Sequence, residues 1–202
     1  MALAAIANSR RCRYTYAPKR KQHQFLGSFR LLADPDHELA SHLMKGKLDG
    51  FPMTAMDYSH AYGHGAAATV YHATVVVLTE GFDAVPSFVL YPRDWLDKLS
   101  DFIKGRPLTF SPSKAFNKTF AVVGDDVSRI DELFSGRLVK FCLEEPNLTI
   151  EIRRGMLLVY CYETIIGTPG YEEFLDLVAD LTELLRKRID DDDDDDDGDD
   201  DV

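Results

Sequence analysis

The feature that most restricts the fold of this chain is the dipeptide Asp49-Gly50, which stands between two stretches of strand-forming composition. Glycine and aspartate accept the positive φ angles of a two-residue hairpin turn at little energetic cost. Residues 43–48 and 51–59 on either side therefore predict a β-hairpin. Strands joined by so short a turn must be antiparallel, so the fold is expected to contain an antiparallel sheet.

A second hairpin is predicted towards the C-terminal end. Residues 148–153 alternate between apolar and polar side chains, which is the period of a strand with one buried face. Arg154-Gly155 supplies the turn, and residues 156–162 supply the returning strand. Between the hairpins, the β-branched and aromatic run at residues 69–79 predicts a central strand, because it is too apolar for an exposed edge. Further short strands are predicted at residues 13–16, 87–91, 108–110 and 118–123.

Helices are predicted where apolar residues recur on one face between a capping residue and a stop signal. The last of them opens at Thr168-Pro169, with glutamates in its first turn and basic residues near its end, both of which suit the helix dipole. The predicted helices are residues 2–11, a helical turn from Asp34-Pro35 to about residue 41, residues 94–105, a pair between residues 125 and 144, and residues 168–188.

This order of elements predicts an α+β fold, in which a mostly antiparallel sheet built from hairpins is covered by three or four amphipathic helices. A doubly wound parallel sheet is not expected, because strands and helices do not alternate. We divide the chain into a basic N-terminal segment (residues 1–30), a single α+β domain (residues 31–189) and a polyaspartate tail (residues 190–202).

Charge is distributed unevenly along the chain. The net charge of −11 comes from eleven aspartates at residues 190–197 and 199–201, and without them acidic and basic residues are equal in number. Residues 1–30 hold seven basic side chains and no acid. A run of like charges with nothing apolar to bury predicts a disordered tail.

The cysteines and the hydropathy pattern suggest a cellular setting. Cys12, Cys142 and Cys161 are odd in number and have no metal-ligand spacing, which favours reduced thiols and a cytoplasmic location. No stretch approaches the roughly 18 apolar residues of a membrane span, so no transmembrane segment is expected. Peripheral association with a membrane stays open.

Several short motifs give the chain a family resemblance. They are the alanine-rich helix from Ala4 that leads into Arg13-Tyr14-Thr15-Tyr16, the stretch at residues 46–59, Phe116–Phe120 with Asp125-Asp126, and the hairpin at residues 148–160. In these motifs the chain resembles an uncharacterised family of bacterial proteins, commonly found in actinobacteria, that has no assigned activity. The resemblance covers most of residues 1–185 and leaves out the tail.

Members of that family often carry transmembrane helices or a longer basic segment upstream, and this chain is expected to begin after them. The resemblance implies a fold but no catalytic residue and no cofactor, so no residue role is transferred from it.

The histidines provide one hypothesis for a site. All six lie between His23 and His72. A hairpin that joined His60 and His64 to His72 would bring two or three imidazoles close to Asp57. A metal ion requires several ligands of this kind that converge on one point. Scattered histidines on a surface are the more common outcome.

The N-terminal segment provides another hypothesis. Its arginines alternate with Tyr14 and Tyr16, a composition that neutralises and stacks against nucleic acid or anionic lipid. The candidate polyanion-binding residues are Arg10, Arg11, Arg13, Lys19, Arg20 and Lys21. A basic surface in contact only with water is the ordinary alternative, and the acidic tail is a natural competitor for such a site.

No catalytic residue can be named from the sequence, because it contains neither a nucleophile elbow nor a phosphate-cradling glycine loop followed by a helix. The sequence therefore favours a non-catalytic interaction or accessory module with an unknown protein partner and no cofactor. A metal-dependent enzyme built on the histidines, and a binder of polyanions or membrane surfaces through the basic segment, remain as alternatives. Whether the protein is an enzyme stays undecided at this point.

Overall fold

The computed structural model describes residues 2–33, 37–62, 69–95, 107–110, 113–134, 136–161 and 164–193. Eight strands form one antiparallel sheet in the order β1-β2-β3-β4-β8-β7-β5-β6. The strands are β1 (Arg13–Thr15), β2 (His37–Leu48), β3 (Phe51–Tyr62), β4 (Thr69–Leu78), β5 (Phe88–Pro92), β6 (Phe120–Gly124), β7 (Leu148–Arg153) and β8 (Met156–Cys161).

Helices cover one face of this sheet, which we call the helix face. The described α-helices are α1 (Ala2–Ser9), α2 (Lys114–Thr119), α3 (Val127–Leu133), α4 (Gly136–Glu144) and α5 (Thr168–Asp193). Each of them contributes a buried side chain to one apolar core, namely Ala7, Phe116, Ile130, Cys142 and Leu175 in that order. The predicted α+β class, with an antiparallel sheet under amphipathic helices, is confirmed.

The opposite face, which we call the second face, is also covered. Three short 3₁₀ turns between residues 20 and 32, together called the 3₁₀ segment, lie against it. Leu26 and Phe29 of this segment pack with Met56 and Leu158 of the sheet in a second apolar core. The sequence analysis expected no such layer, because 3₁₀ turns do not produce the 3.6-residue period by which a buried helix is recognised.

Both predicted hairpins are confirmed. Asp49 and Gly50 have φ angles of 47° and 91°, as a tight turn with two left-handed residues requires. The strands on either side are longer than predicted and pair from Leu48↔Phe51 outwards. The run that predicted a central strand forms β4, which pairs with β3 on one side and β8 on the other.

Two predicted elements are wrong. Residues 37–41 belong to β2 and form no helical turn. Residues 108–110 form no strand, although the Leu108 N–H donates one hydrogen bond of 2.8 Å to the Val122 carbonyl. A short apolar run does not distinguish a strand from a segment that crosses a sheet edge with one hydrogen bond.

The N-terminal segment packs against both faces of the sheet. Residues 1–30 contribute Ala7 to the core of the helix face and Leu26 to that of the second face. Helix α5 runs to Asp193, four residues into the predicted tail. Several predictions lie outside the described residues, namely most of the helix at 94–105, the turn at 34–36, the loop at 63–68 and the tail from residue 194 onwards. In the described part of the chain, no helix combines the length and the apolar character needed to cross a membrane.

Candidate functional site

A pocket opens on the second face near the turn of the β2–β3 hairpin. It has a volume of about 320 Å³ and lies between the 3₁₀ segment and strands β2 and β3. We call it the basic pocket, because its charged lining residues are lysines. Its lining residues are Lys21, Gln22, Phe25, Leu43, Lys45, Pro52, Met53, Thr54 and Thr79.

A β-bulge in β2 determines which side chains reach this pocket. Before the bulge Ser41 pairs with Asp57, and after it Met44 pairs with Ala55, so two residues of β2 stand opposite one residue of β3. His42 takes up the extra residue with a φ of 56°, and its N–H donates to the Tyr16 carbonyl at 2.9 Å. Because a shift of one residue exchanges the two faces of a strand, the bulge turns Lys45 towards the second face.

Strand β1 adds a third cation beside the pocket. The register pairs Arg13 of β1 directly with Lys45 of β2, so both side chains project from the same face. Both are exposed. Cβ atoms of directly opposed residues lie about 5 Å apart, and two like charges in such a pair destabilise the sheet.

The cations at the pocket differ from Arg10 and Arg20 in lacking acidic partners. Arg10 pairs with Asp176 at 2.7 Å, and Arg20 pairs with Glu38 at 2.5 Å. Among the described residues, no carboxylate lies within 4.0 Å of the charged groups of Arg13, Lys21 or Lys45. Their positive charge is therefore available to a ligand.

Lys21 reaches the pocket because the 3₁₀ segment is fixed to the sheet by a buried carboxylate. Glu151 of β7 has no exposed surface, and it accepts hydrogen bonds from the backbone N–H groups of Arg30 and Leu31 at 2.6 and 3.2 Å. Burial raises the pKa of the Glu151 carboxyl, while those two hydrogen bonds oppose the rise. At the other end of the segment, Gln22 accepts from the Lys19 N–H at 2.8 Å.

The six predicted polyanion-binding residues are thus divided between different surfaces. Lys21 lines the basic pocket, and Arg13 stands opposite Lys45 at its side. Arg10 is held on the helix face by its pair with Asp176 of α5. Arg20 is bound to Glu38, whereas Arg11 and Lys19 are exposed without an ion pair in the described structure.

Sequence reasoning missed Lys45, Thr54 and Thr79, which complete the pocket from the sheet. Lys45 lies outside the cluster of basic residues at the N-terminus, and its orientation depends on the bulge at His42. A left-handed histidine within a strand has no reliable sequence signal, so the register could not be predicted. The alternation of apolar and polar residues along β2 changes phase between its first and second halves. That change of phase is the one sequence signal that could have indicated a bulge.

The predicted histidine cluster does not form from the residues that the structure describes. Ser59 pairs with His72, so His60, the next residue of β3, projects from the opposite face of the sheet. His60 lies between the rings of Tyr58 and Tyr71, with centroids at 5.6 and 5.3 Å. Burial lowers the pKa of His60 to about 4. His64 lies outside the described residues, and in the described part no group of three or more His, Cys, Asp or Glu side chains is arranged to hold a metal.

Asp57, the fourth predicted metal ligand, belongs to a polar cluster on the helix face. It accepts a hydrogen bond from the Thr74 hydroxyl at 2.6 Å, and that hydroxyl accepts from the Ile166 N–H at 2.8 Å. Burial raises the pKa of Asp57, while the hydrogen bond from Thr74 and the electrostatic interaction with His42 oppose the rise. Asp57 therefore ties β3 and β4 to the segment that leads into α5.

Two tyrosines adjoin this cluster. The Tyr14 hydroxyl lies 2.6 Å from Nδ1 of His42. Tyr171 of α5 is fully buried, and its hydroxyl has no hydrogen-bond partner among the described residues. Burial raises the pKa of Tyr171, and the charges of Asp57 and Tyr14 add to the rise. The raised pKa keeps the phenol of Tyr171 neutral at physiological pH.

A larger cavity of about 910 Å³ lies at the other end of the molecule. Its lining combines apolar side chains with the carboxylates of Asp125, Asp126 and Asp131. Asp126 caps α3 by accepting from the Arg129 N–H at 3.3 Å, and Asp125 pairs with Arg30 at 3.6 Å. Two of the three carboxylates therefore already have structural roles, and we take the smaller basic pocket as the candidate site.

Comparison with protein-family models, with curated proteins and with solved structures finds no match to this chain.

Proposed function

We propose that this protein is a non-catalytic binding module that takes a compact anionic group of the phosphate class in the basic pocket. The observation that carries the proposal is the direct pairing of Arg13 with Lys45, beside Lys21 and without an acidic partner. These three cations repel one another in the free protein. An anionic ligand that contacts all three removes this repulsion and is therefore bound favourably.

The shape of the site favours a compact anion. A volume of about 320 Å³ lies at the lower end of the range for small-molecule pockets, and the site is recessed between the 3₁₀ segment and the sheet. Thr54 and Thr79 line the pocket together with the two lysines. Hydroxyl and ammonium groups are both hydrogen-bond donors, and phosphate oxygens accept from either. A flat membrane surface would require the cations to project outwards together.

The lining argues for binding without catalysis. The residues that line the pocket include two lysines, a glutamine and two threonines, but no carboxylate, imidazole or thiol. A general base for phosphoryl or acyl transfer is therefore missing from the described lining. The ammonium and hydroxyl groups of this lining can bind a phosphate, but the described lining offers no carboxylate or imidazole to deprotonate an attacking water.

The wider setting is also a proposal. Three free cysteines support a cytoplasmic location, and the resemblance to the uncharacterised bacterial family, which has no assigned activity, is compatible with an accessory role. The predicted protein partner could bind here through a phosphorylated side chain that enters the basic pocket. A free phosphorylated metabolite presents the same phosphate group. Binding experiments distinguish a metabolite from a phosphorylated protein.

Titration calorimetry with sodium tripolyphosphate at low ionic strength tests the proposal. We expect one binding event per chain, which weakens as salt screens the charges. Lys45→Ala and Lys21→Ala should each weaken binding about tenfold, the loss of one charge-assisted hydrogen bond. Lys118→Ala is the matched control, because Lys118 is an exposed lysine on α2 at a distance from the pocket.

Equal loss of affinity in all three variants would show diffuse electrostatic attraction, which contradicts the proposal. A phosphoserine peptide and a phosphorylated sugar, titrated in parallel, distinguish a protein partner from a metabolite. Binding to phosphatidylserine vesicles in preference to tripolyphosphate would contradict the compact ligand and support the membrane-surface alternative.

A further inference from the structure

We propose that the helix face carries a docking surface for a segment of a partner protein that presents an arginine or a lysine between apolar side chains. The surface consists of exposed apolar side chains, together called the apolar patch, around the carboxyl group of Asp57. The inference does not depend on the basic pocket, which lies on the second face. It gives the expected protein partner a surface and a chemistry of its own.

The apolar patch is a cluster of exposed side chains at one end of strands β2, β3 and β4. Its members are Tyr16, Leu39, Val70 and Ile165. They are four of the five large apolar side chains that are exposed in the described part of the chain. Leu39 pairs with Ser59 and Val70 with Ala61, so both project from the same face of the sheet as Asp57. Single exposed apolar side chains are ordinary, whereas a group of them on one face marks an interaction site.

Two members of the patch border Asp57 from other segments of the chain. The rings of Tyr16 and His42 meet edge to face with centroids 5.0 Å apart, and His42 interacts electrostatically with Asp57. The backbone on either side of Ile165 is hydrogen-bonded to Thr74 at 2.9 and 2.8 Å, and Thr74 donates to Asp57. The half-buried Asp57 carboxyl group therefore has exposed apolar side chains on several sides.

The Asp57 carboxyl group has no cationic partner among the residues that the structure describes. No lysine, arginine or histidine nitrogen of that part lies within 4.0 Å of it. The Thr74 hydroxyl donates to one of its oxygens, yet burial still raises the pKa of Asp57, so the charged form is incompletely stabilised. A cation supplied by a ligand would stabilise that charged form, and partial exclusion of water strengthens the attraction.

The chemistry and the area of the surface together favour a peptide segment. A metal ion requires several converging ligands, and the described residues supply no such group. The patch exposes about 500 Å², at roughly 200 Å² for each large side chain. Stable protein–protein interfaces bury about 800 Å² on each partner, so this patch alone is too small to hold a second copy of the chain. An arginine or lysine covers apolar surface with its aliphatic stem and brings its charge to the carboxyl group.

Fluorescence anisotropy at physiological salt tests the proposal with a labelled, blocked heptapeptide. The peptide has leucine and valine on either side of a central arginine and a serine at each end. The native protein should bind it at least about tenfold more tightly than the same peptide with citrulline, an uncharged isostere, at the centre. Asp57→Asn keeps the acceptor for Thr74 and removes the charge, so it should abolish this preference. Leu39→Ser should weaken both peptides at least about threefold, whereas Val127→Ser, which changes the fifth exposed apolar residue, should weaken neither.

The aspartates at residues 190–197 attract any cationic peptide, but the native protein and the variants carry them alike, so only differences between these proteins are informative. Absence of the arginine preference in the native protein, or its persistence in Asp57→Asn, would overturn the proposal. Leu39 is exposed, so Leu39→Ser should fold even where Asp57→Asn does not, and unchanged peptide binding by Leu39→Ser would also overturn it. Dimer formation in sedimentation velocity, or binding to phosphatidylserine vesicles, that is lost in Leu39→Ser while no peptide binds would assign the patch to a second copy or to a membrane instead.

Discussion

Arg13 and Lys45 are paired residues of neighbouring antiparallel strands, and both carry positive charge on the same face of the sheet. Sheets ordinarily place an opposite or neutral partner in such a position. Lys21 of the 3₁₀ segment lines the same pocket as Lys45 and adds a third positive charge to this repulsive pair. The arrangement lowers the stability of the free protein, and under the proposed function a bound anion would relieve the repulsion.

Replacement of Lys45 by threonine should therefore stabilise the free protein. The like-charge pair with Arg13 disappears, and threonine suits a strand, so we expect a gain of about 0.2–1 kcal/mol in the free energy of unfolding at low salt. Urea denaturation measures it. Lys47→Thr is the control, because Lys47 pairs with the uncharged Pro52. A gain of similar size in both variants would attribute the effect to strand propensity alone.

Glu151→Ala should destabilise the protein by about 2–4 kcal/mol, because the backbone N–H groups of Arg30 and Leu31 lose their carboxyl acceptor. The variant should also release the 3₁₀ segment, which hydrogen exchange at Arg30 and Leu31 would detect. Glu151→Gln keeps one acceptor oxygen and should lose less. An unchanged free energy of unfolding in Glu151→Ala would contradict the anchoring role.

The pKa of Glu151 also predicts a pH dependence. Because the folded pKa is raised above the ordinary value of 4.5, the folded state binds the proton more readily than the unfolded state. Its contribution is complete below pH 4.5 and is lost as the pH rises through the folded pKa. Glu151→Gln should therefore lose less stability than the native protein over this interval, as denaturation at a series of pH values would show.

His60 predicts the opposite dependence. Its pKa falls from 6.5 to about 4 on folding, so its contribution to stability is complete above pH 6.5 and is lost as the pH falls towards 4. His60→Phe keeps a ring between Tyr58 and Tyr71 and removes the titration. Denaturation midpoints between pH 7 and pH 4 should change less in this variant, and parallel curves would argue against a neutral buried imidazole.

Tyr171→Phe tests the isolated hydroxyl under α5. A buried donor without a partner costs about 1–3 kcal/mol, so its removal should leave the free energy of unfolding unchanged or raise it. Thermal denaturation is sufficient for the comparison. Leu175→Ala on the same helix should instead cost about 2–5 kcal/mol, because Leu175 is fully buried in the core. A large loss in Tyr171→Phe would indicate a hydrogen bond to the phenol.

Local patterns predicted the fold where one residue type determines the backbone. Asp49-Gly50 and Arg154-Gly155 have the left-handed angles that their composition allows, and both hairpins follow from them. The alternation along β7 predicted a strand, but it did not reveal that Glu151 is buried under the 3₁₀ segment. A charged residue at a polar position of a strand normally faces water, and only the tertiary partners Arg30 and Leu31 reverse this.

The candidate site was predicted in part. Lys21 and Arg13 were named because the N-terminal segment is basic along its sequence, and that signal is local. Lys45 and Thr79 lie beside these two residues because of the bulge at His42 and the order of the strands. Both depend on contacts between residues that are distant in the sequence. Among the described residues, His60 and His72 lie on opposite faces of the sheet, because a strand places successive side chains on alternate faces.

The central claim is that one anion sits among Lys21, Lys45 and Thr79, and amide chemical shifts measured during a tripolyphosphate titration test it most directly. The account predicts saturable shifts that are largest at the residues lining the basic pocket and at Arg13, and that disappear in Lys45→Ala. Shifts spread over every exposed basic residue, or centred away from the pocket, would contradict it.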